Sequence, residues 1–116
     1  AQYAALAAFT DEADIIFEKR REAFRQRRDY LSKALSELGF QLSDNIQGAF
    51  YIYANISKFS DDSEKFCKDL LDSHQVAITP GTDFGEYKAN EYVRIAFTTS
   101  MEDLELGVER ITKALA

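Results

Sequence analysis

The sequence predicts an α+β domain, with helices layered on a small mixed, largely antiparallel sheet of three to four strands. Three observations carry that expectation. A long helical apolar period runs through residues 14–38. Two apolar, strand-like runs occupy residues 49–56 and 92–98. An amphipathic helix pattern separates these runs and another follows them, which is the mixture of periods expected when helices cover a sheet.

The elements follow in order. Gln2 to Phe9 is alanine-rich and reads as helix. Asp11 is placed to cap the next helix. From about Asp14 to Leu38, the residues Phe17, Phe24, Leu31, Leu35 and Leu38 recur at spacings of seven, seven, four and three, one face of a helix. Gly39 follows where a left-handed residue commonly ends a helix. Phe40 to Leu42 is a short strand candidate. Ala49 to Ile56 is apolar or aromatic on both faces, which predicts a central strand. Ser60 or Asp61 opens a third helix, Asp61 and Glu64 having capping-box spacing, with Phe66, Cys67, Leu70 and Leu71 as its buried stripe. Val76 to Thr79 is a short strand stopped by the turn Pro80-Gly81. Tyr92 to Thr98 is the last strand. Ser100 caps a final helix whose apolar face is Leu104, Val108, Ile111 and Leu115.

Composition narrows the function. With 116 residues, 46% hydrophobic and 29% charged, the chain is expected to be one folded domain with a true core. A net charge of −6 argues against nucleic acid as the main partner. No apolar run has the length of a membrane span. Residues 1–9 lack the basic leader of a signal peptide. The single cysteine, Cys67, permits no internal disulfide and fits a reducing, cytoplasmic setting. Together with the single histidine, His74, it cannot build a usual zinc site, and any Ser/His/Asp triad would have to recruit His74. A first residue other than Met, and a helix of roughly 25 residues in so small a domain, point to a fragment of a longer protein.

Three places are candidates for chemistry. Arg94 is the one charge in Tyr92-Val93-Arg94-Ile95-Ala96-Phe97, on the face opposite Val93, Ile95 and Phe97. It is either an ordinary arginine on an open sheet face or a grip for a carboxylate or phosphate, with Tyr92, Ala96 and a nearby glycine-containing loop shaping a cavity. The loop Thr79-Pro80-Gly81-Thr82-Asp83-Phe84-Gly85 is either a plain connector or a lid hinged at Gly81 and Gly85 that carries Phe84 to a ligand; it lacks the Gly-Lys-Ser/Thr ending of a phosphate loop. Gly48-Ala49-Phe50-Tyr51 is either a core strand or a ligand-facing segment through Phe50, with Gly48 allowing close backbone approach. The basic run Lys19-Arg20-Arg21, Arg25, Arg27 and Arg28 is interleaved with Glu18, Glu22 and Asp29 and reads as a solvated or interdomain helix face. His74 closes a helix near its negative end, and Cys67 reads as a small core residue.

Taken in order, these segments resemble the C-terminal part of class I/II pyridoxal-phosphate-dependent aminotransferases, the aspartate aminotransferase family of fold type I. The resemblance lies in Gly48-Ala49-Phe50-Tyr51, Val76-Ala77-Ile78-Thr79-Pro80-Gly81 with Phe84-Gly85, and Tyr92-Val93-Arg94-Ile95-Ala96-Phe97. Arg27-Arg28-Asp29 with Leu31 and Leu35, and the helix from Ser100 through Arg110-Ile111, fit as well. It implies the small-domain architecture of that family: residues 1–10 as the tail of an upstream segment, 11–39 as a long linking helix, and 40–116 as a sheet-and-helix core. It implies that Arg94 binds the substrate α-carboxylate and that Phe50 and Phe84 stand near the pocket wall. It implies a parent that moves an amino group between an amino acid and a 2-oxo acid, uses pyridoxal 5′-phosphate and works as a homodimer. The Schiff-base lysine and the phosphate-binding groups would lie in an upstream domain, so no catalytic, cofactor-binding or metal-binding residue is expected within this chain. By that resemblance the chain alone is expected to be inactive and to bind no cofactor. The alternative from the residues alone is a stand-alone amino-acid-sensing module that uses the same arginine.

Overall fold

A computed structural model describes residues 1–116. Helix α1 spans Gln2–Leu6 and continues into a 3-10 turn at Ala7–Phe9. Helix α2, Asp11–Leu38, is capped by Thr10, whose hydroxyl accepts from the Ala13 amide at 3.2 Å. The expected cap, Asp11, is instead the first helical residue, one of three acids in the first turn where the helix dipole favours them. The helix ends as expected, at Gly39 with φ 108°. Leu31 and Leu35 of the predicted stripe are buried and Phe24 and Leu38 pack on the core, whereas Phe17 lies out on the projecting half of the helix.

The sheet has four strands: β1 Gln41–Leu42, β2 Tyr51–Asn55, β3 Thr79–Pro80 and β4 Tyr92–Ala96. Their order is β1-β2-β4-β3, and every pairing is antiparallel. The strand β2 is central, as predicted, but shorter at its start because Ala49 takes a positive φ of 63°. It is also covered on one face only. Ile52, Ala54 and Ile56 join Val93, Ile95 and Phe97 beneath the sheet, against the helices. Tyr51, Tyr53, Tyr92 and Arg94 occupy the other, open face.

Helix α3, Ser63–His74, starts after Asp62, which accepts from the Lys65 amide at 3.1 Å. Asp62, not Ser60 or Asp61, is therefore the cap; the Ser60 hydroxyl instead accepts from the Asp62 amide at 3.1 Å and shapes the approach. Cys67 and Leu70 are buried and Phe66 packs on the core, while Leu71 is exposed, so the apolar stripe is narrower than predicted. His74 is the last residue of α3, as expected. The chain then turns through Gln75, in a left-handed conformation, and drops Val76 into the core. The third strand follows later than predicted, at Thr79–Pro80. Pro80 has no N–H to donate, and an edge strand is where a sheet tolerates that. Helix α4, Met101–Leu115, is capped by Ser100 as predicted, the hydroxyl accepting from the Asp103 amide at 3.2 Å.

The molecule is elongated. Its radius of gyration is 16.4 Å, against about 13 Å for a compact domain of this length. A 28-residue helix is about 42 Å long, close to the 47 Å long axis of the whole chain. The first half of α2, with α1, therefore projects beyond the sheet-and-helix core. No helix is long and apolar enough to cross a membrane.

Candidate functional site

Arg94 sits at the middle of β4, between Tyr53 on β2 and Thr79 on β3. Strand alternation sends Val93 and Ile95 into the core and leaves Arg94 on the open face. Its guanidinium carbon lies 4.4 Å from the Phe84 ring centroid and 5.3 Å from that of Tyr51. The chain's ion pairs lie elsewhere, on α2, α3 and α4. Arg94 is thus a half-buried cation whose side-chain N–H donors have no acceptor within residues 1–116. It forms one wall of an open depression of about 500 Å³ shared with Tyr51, Tyr53, Phe84, Glu86 and Tyr87.

The predicted partners of Arg94 are only partly the observed ones. The loop does supply Phe84 and Gly85 to the depression. Ala96 and Tyr92 do not line it: Tyr92 stacks flat on Tyr53, with centroids 4.8 Å apart and planes at 4°. The missing walls come from β2 as Tyr51 and Tyr53. Their signal in the sequence is the period of two in Tyr51-Ile52-Tyr53-Ala54, but joining that face to Arg94 needs the β2–β4 register. Burial, with a smaller contribution from Tyr92, pushes the Tyr53 phenol above its ordinary 10.0.

The loop is anchored at both ends. A 3-10 turn at Gly81–Asp83 is held by the Thr82 hydroxyl, which donates to Glu64 Oε1 at 2.9 Å. A second, at Ala89–Glu91, is held by the buried Ser63 hydroxyl, which donates to the Ala89 carbonyl at 3.0 Å. Gly81 is buried and wedged, so it is an anchor and not the hinge expected of it. Gly85 has open space around it, and residues 83–88 are exposed between the anchors.

Phe50 falls elsewhere. It lines a separate depression of about 450 Å³ against α2, with Phe24, Arg21, Arg25 and Arg28. Its only tie to the Arg94 site is an edge-to-face contact with Tyr51 at 5.6 Å. The Phe50 carbonyl accepts from the Phe97 amide, and the period of two puts its side chain on the helix-facing side with Ile52 and Ala54. Gly48 has nothing near its Cα to require a glycine, so the predicted close approach is absent. Three of the basic residues of α2 are ion-paired, Arg21 with Glu18, Arg25 with Glu22, and Arg28 with Asp29, while Lys19, Arg20 and Arg27 have no such partner. Arg28 also donates to the Ile46 carbonyl at 3.3 Å, and Arg27 lies over Phe24 at 5.2 Å. No group of three metal-ligating side chains comes together.

These features define a class: an α+β domain whose helices close one sheet face and leave the other open, presenting one unpaired cation among aromatic rings. The chain belongs to the aminotransferase class I and II family, whose sequence profile matches residues 1–111. It is 37% identical over 110 residues to the valine–pyruvate aminotransferase of Mycobacterium tuberculosis, covering 95% of this chain and 28% of that protein. It is 38% identical over 117 residues to the aspartate/prephenate aminotransferase of Thermus thermophilus, covering 99% of this chain and 29% of that one. The fold superimposes with a TM-score of 0.91 on a Methanococcus jannaschii protein described as similar in its active site to kynurenine aminotransferases, at 36% identity, over 99% of this chain and 30% of the other. A crystal structure of an aminotransferase from M. tuberculosis gives the same TM-score of 0.91 at 37% identity, over 97% of this chain and 29% of that one. The chain thus spans less than a third of the length of these relatives.

Proposed function

We propose that residues 1–116 are the substrate-clamping, C-terminal domain of a pyridoxal-phosphate-dependent aminotransferase, which moves an amino group between an amino acid and a 2-oxo acid. The observation that carries this reading is Arg94: an unpaired guanidinium, half withdrawn from water, at the wall of an open depression. A guanidinium matches a carboxylate edge to edge through two parallel hydrogen bonds. Amino acid and 2-oxo acid share that carboxylate, so one arginine serves both halves of the exchange. The grip fixes the Cα of the substrate relative to the cofactor, and orientation of this kind lowers the barrier without the arginine taking part in bond making. The aromatic walls remove part of the water around the guanidinium, which strengthens the ion pair.

Family membership implies pyridoxal 5′-phosphate in the parent enzyme. The residues that line the Arg94 depression include no lysine for its aldehyde. Its lining fits a substrate carboxylate instead. We therefore assign the cofactor to another domain of the parent, and the catalytic proton transfers with it; the homodimer and the cytoplasmic, metabolic setting are carried over on the same family ground. The rival reading, a stand-alone amino-acid sensor, leaves Tyr3, Leu6, Phe9, Ile15 and Ile16 exposed along α1 and α2 without a purpose. A long linking helix that packs against a further domain gives those residues one.

The test is Arg94→Ala in the full-length protein, read by amino-acid and 2-oxo-acid affinity. Loss of a desolvated charge pair costs about 2 kcal/mol or more, roughly thirtyfold in affinity. Because Arg94 holds no ion pair within the chain, the unfolding midpoint should move little. Near-normal affinity for both substrates would sink the assignment.

A further inference from the structure

We propose that Phe84 and Tyr51 are positioning residues for the Arg94 clamp: their rings orient a guanidinium that no polar group within residues 1–116 holds. The inference rests on the reading of Arg94 as a carboxylate grip and adds the means by which the grip is aimed. An arginine on an open sheet face has many side-chain rotamers, and each must be given up on binding. Arginines are ordinarily oriented by an acceptor. Arg28, for example, is held by Asp29 and by the Ile46 carbonyl. Arg94 has no such partner, and a carboxylate supplied by the protein would compete with the substrate's own.

The rings solve that conflict. A guanidinium over an aromatic face is attracted by the ring quadrupole without using an N–H donor. The two rings reach Arg94 from opposite flanks of β4. Tyr51 comes from β2 and Phe84 from the loop that follows β3, at 5.3 and 4.4 Å. Each has its own support. The rings of Phe50 and Tyr51 pack edge to face with centroids 5.6 Å apart. Phe84 follows the turn pinned by Thr82 on Glu64, and its amide donates to the Gly81 carbonyl at 3.0 Å. The donors of Arg94 are left free while its direction is restrained, which is pre-organisation for a planar anion.

The experiment uses the full-length protein with Phe84→Leu, Tyr51→Leu and Phe84→Tyr. KM and kcat are measured for an amino acid, its 2-oxo acid and the primary amine that lacks the carboxylate. Each Leu variant should raise KM for both carboxylate substrates, by roughly fivefold to tenfold for Phe84→Leu, a clearly larger loss than it causes in kcat/KM for the amine. Phe84→Tyr, which keeps the ring, should restore the wild-type KM. Phe84 is 49% exposed, so its replacement does not threaten folding. An unchanged KM in both Leu variants, or an equal loss with the amine, overturns the positioning role. If Arg94→Ala loses affinity while neither Leu variant does, the clamp stands and the positioning fails. If Arg94→Ala loses none, the clamp itself fails.

Discussion

A Cβ on Gly81 would lie 2.7 Å from the Tyr53 hydroxyl oxygen. It would also meet two backbone carbonyls, Ala89 at 2.5 Å and Tyr92 at 2.9 Å. Contacts this short do not occur in real side chains, and backbone oxygens paired into a sheet and a turn cannot swing aside. Gly81 is needed for space and not for an unusual φ. It locks the loop that bears Phe84 onto the open sheet face that bears Arg94.

Gly81→Ala should therefore destabilise the protein by about 1–3 kcal/mol through overpacking. The same shift would carry Phe84 away from Arg94 and weaken carboxylate binding in the full-length protein. Urea unfolding and a binding titration measure the two effects separately. Wild-type stability in this variant would mean that the loop yields freely, against the wedged geometry.

Local features of the fold were legible where one residue type has one solution. Gly39 ended α2 because a left-handed residue was needed there, and Ser100 capped α4 although Thr99 stands beside it, the Thr99 hydroxyl donating instead to Asp103 Oδ2. The caps of α2 and α3 were misplaced by one residue or two because Thr10-Asp11 and Ser60-Asp61-Asp62 each offer neighbouring oxygens of equal ability. Packing, not propensity, chooses among them. Val76 to Thr79 read as strand by its apolar content, yet Val76 plugs the core beyond α3 and pairing begins only at Thr79. At the site, Arg94 was visible as a charge out of pattern. Tyr51 and Tyr53 were not, because only the register Tyr53↔Arg94 brings them to it. Phe50 lies on the α2 side and not in the Arg94 depression because the period of two that places Tyr51 and Tyr53 beside Arg94 places Phe50 with Ile52 and Ala54 on the opposite face.

The buried Cys67 thiol should leave a mark on stability at alkaline pH. Burial, with a lesser contribution from Asp83, pushes the Cys67 thiol from 9.0 up to about 11. Desolvation also raises the Tyr30 and Tyr53 phenols. In each case the folded state holds its proton to higher pH than the unfolded chain does. The contribution of Cys67 is thus fully present below pH 9 and is lost as pH rises toward about 11, with a slope of at most about 1.4 kcal/mol per pH unit. Denaturant midpoints from pH 8 to 11 should fall more steeply for the wild type than for Cys67→Ala. Parallel slopes would show that the thiol ionises in the folded state as it does in the unfolded one.

The projecting end of the molecule carries the last prediction. Tyr3 and Phe9 are 90% and 85% exposed, and Leu6, Ile15 and Ile16 are at least half exposed beside them. All lie within sixteen residues of the sequence, on α1, the 3-10 turn and the first turns of α2. Their number in so short a stretch is unusual for a free surface, where large apolar side chains occur singly. The acids Asp11, Glu12 and Asp14 are interspersed among them. They oppose close approach of two copies, and salt screens that repulsion. Residues 1–116 taken alone should therefore self-associate, with an average mass that rises with protein concentration and with added salt. Replacing Ile15 and Ile16 by lysine should restore a monomer without loss of core stability, because neither residue is buried and the substitution keeps helix-forming side chains. Multi-angle light scattering across a hundredfold range of concentration decides the matter. A constant monomer mass for the unmodified chain would show that this surface needs no partner, and would remove the argument that α1 and the start of α2 are built to lie against another domain.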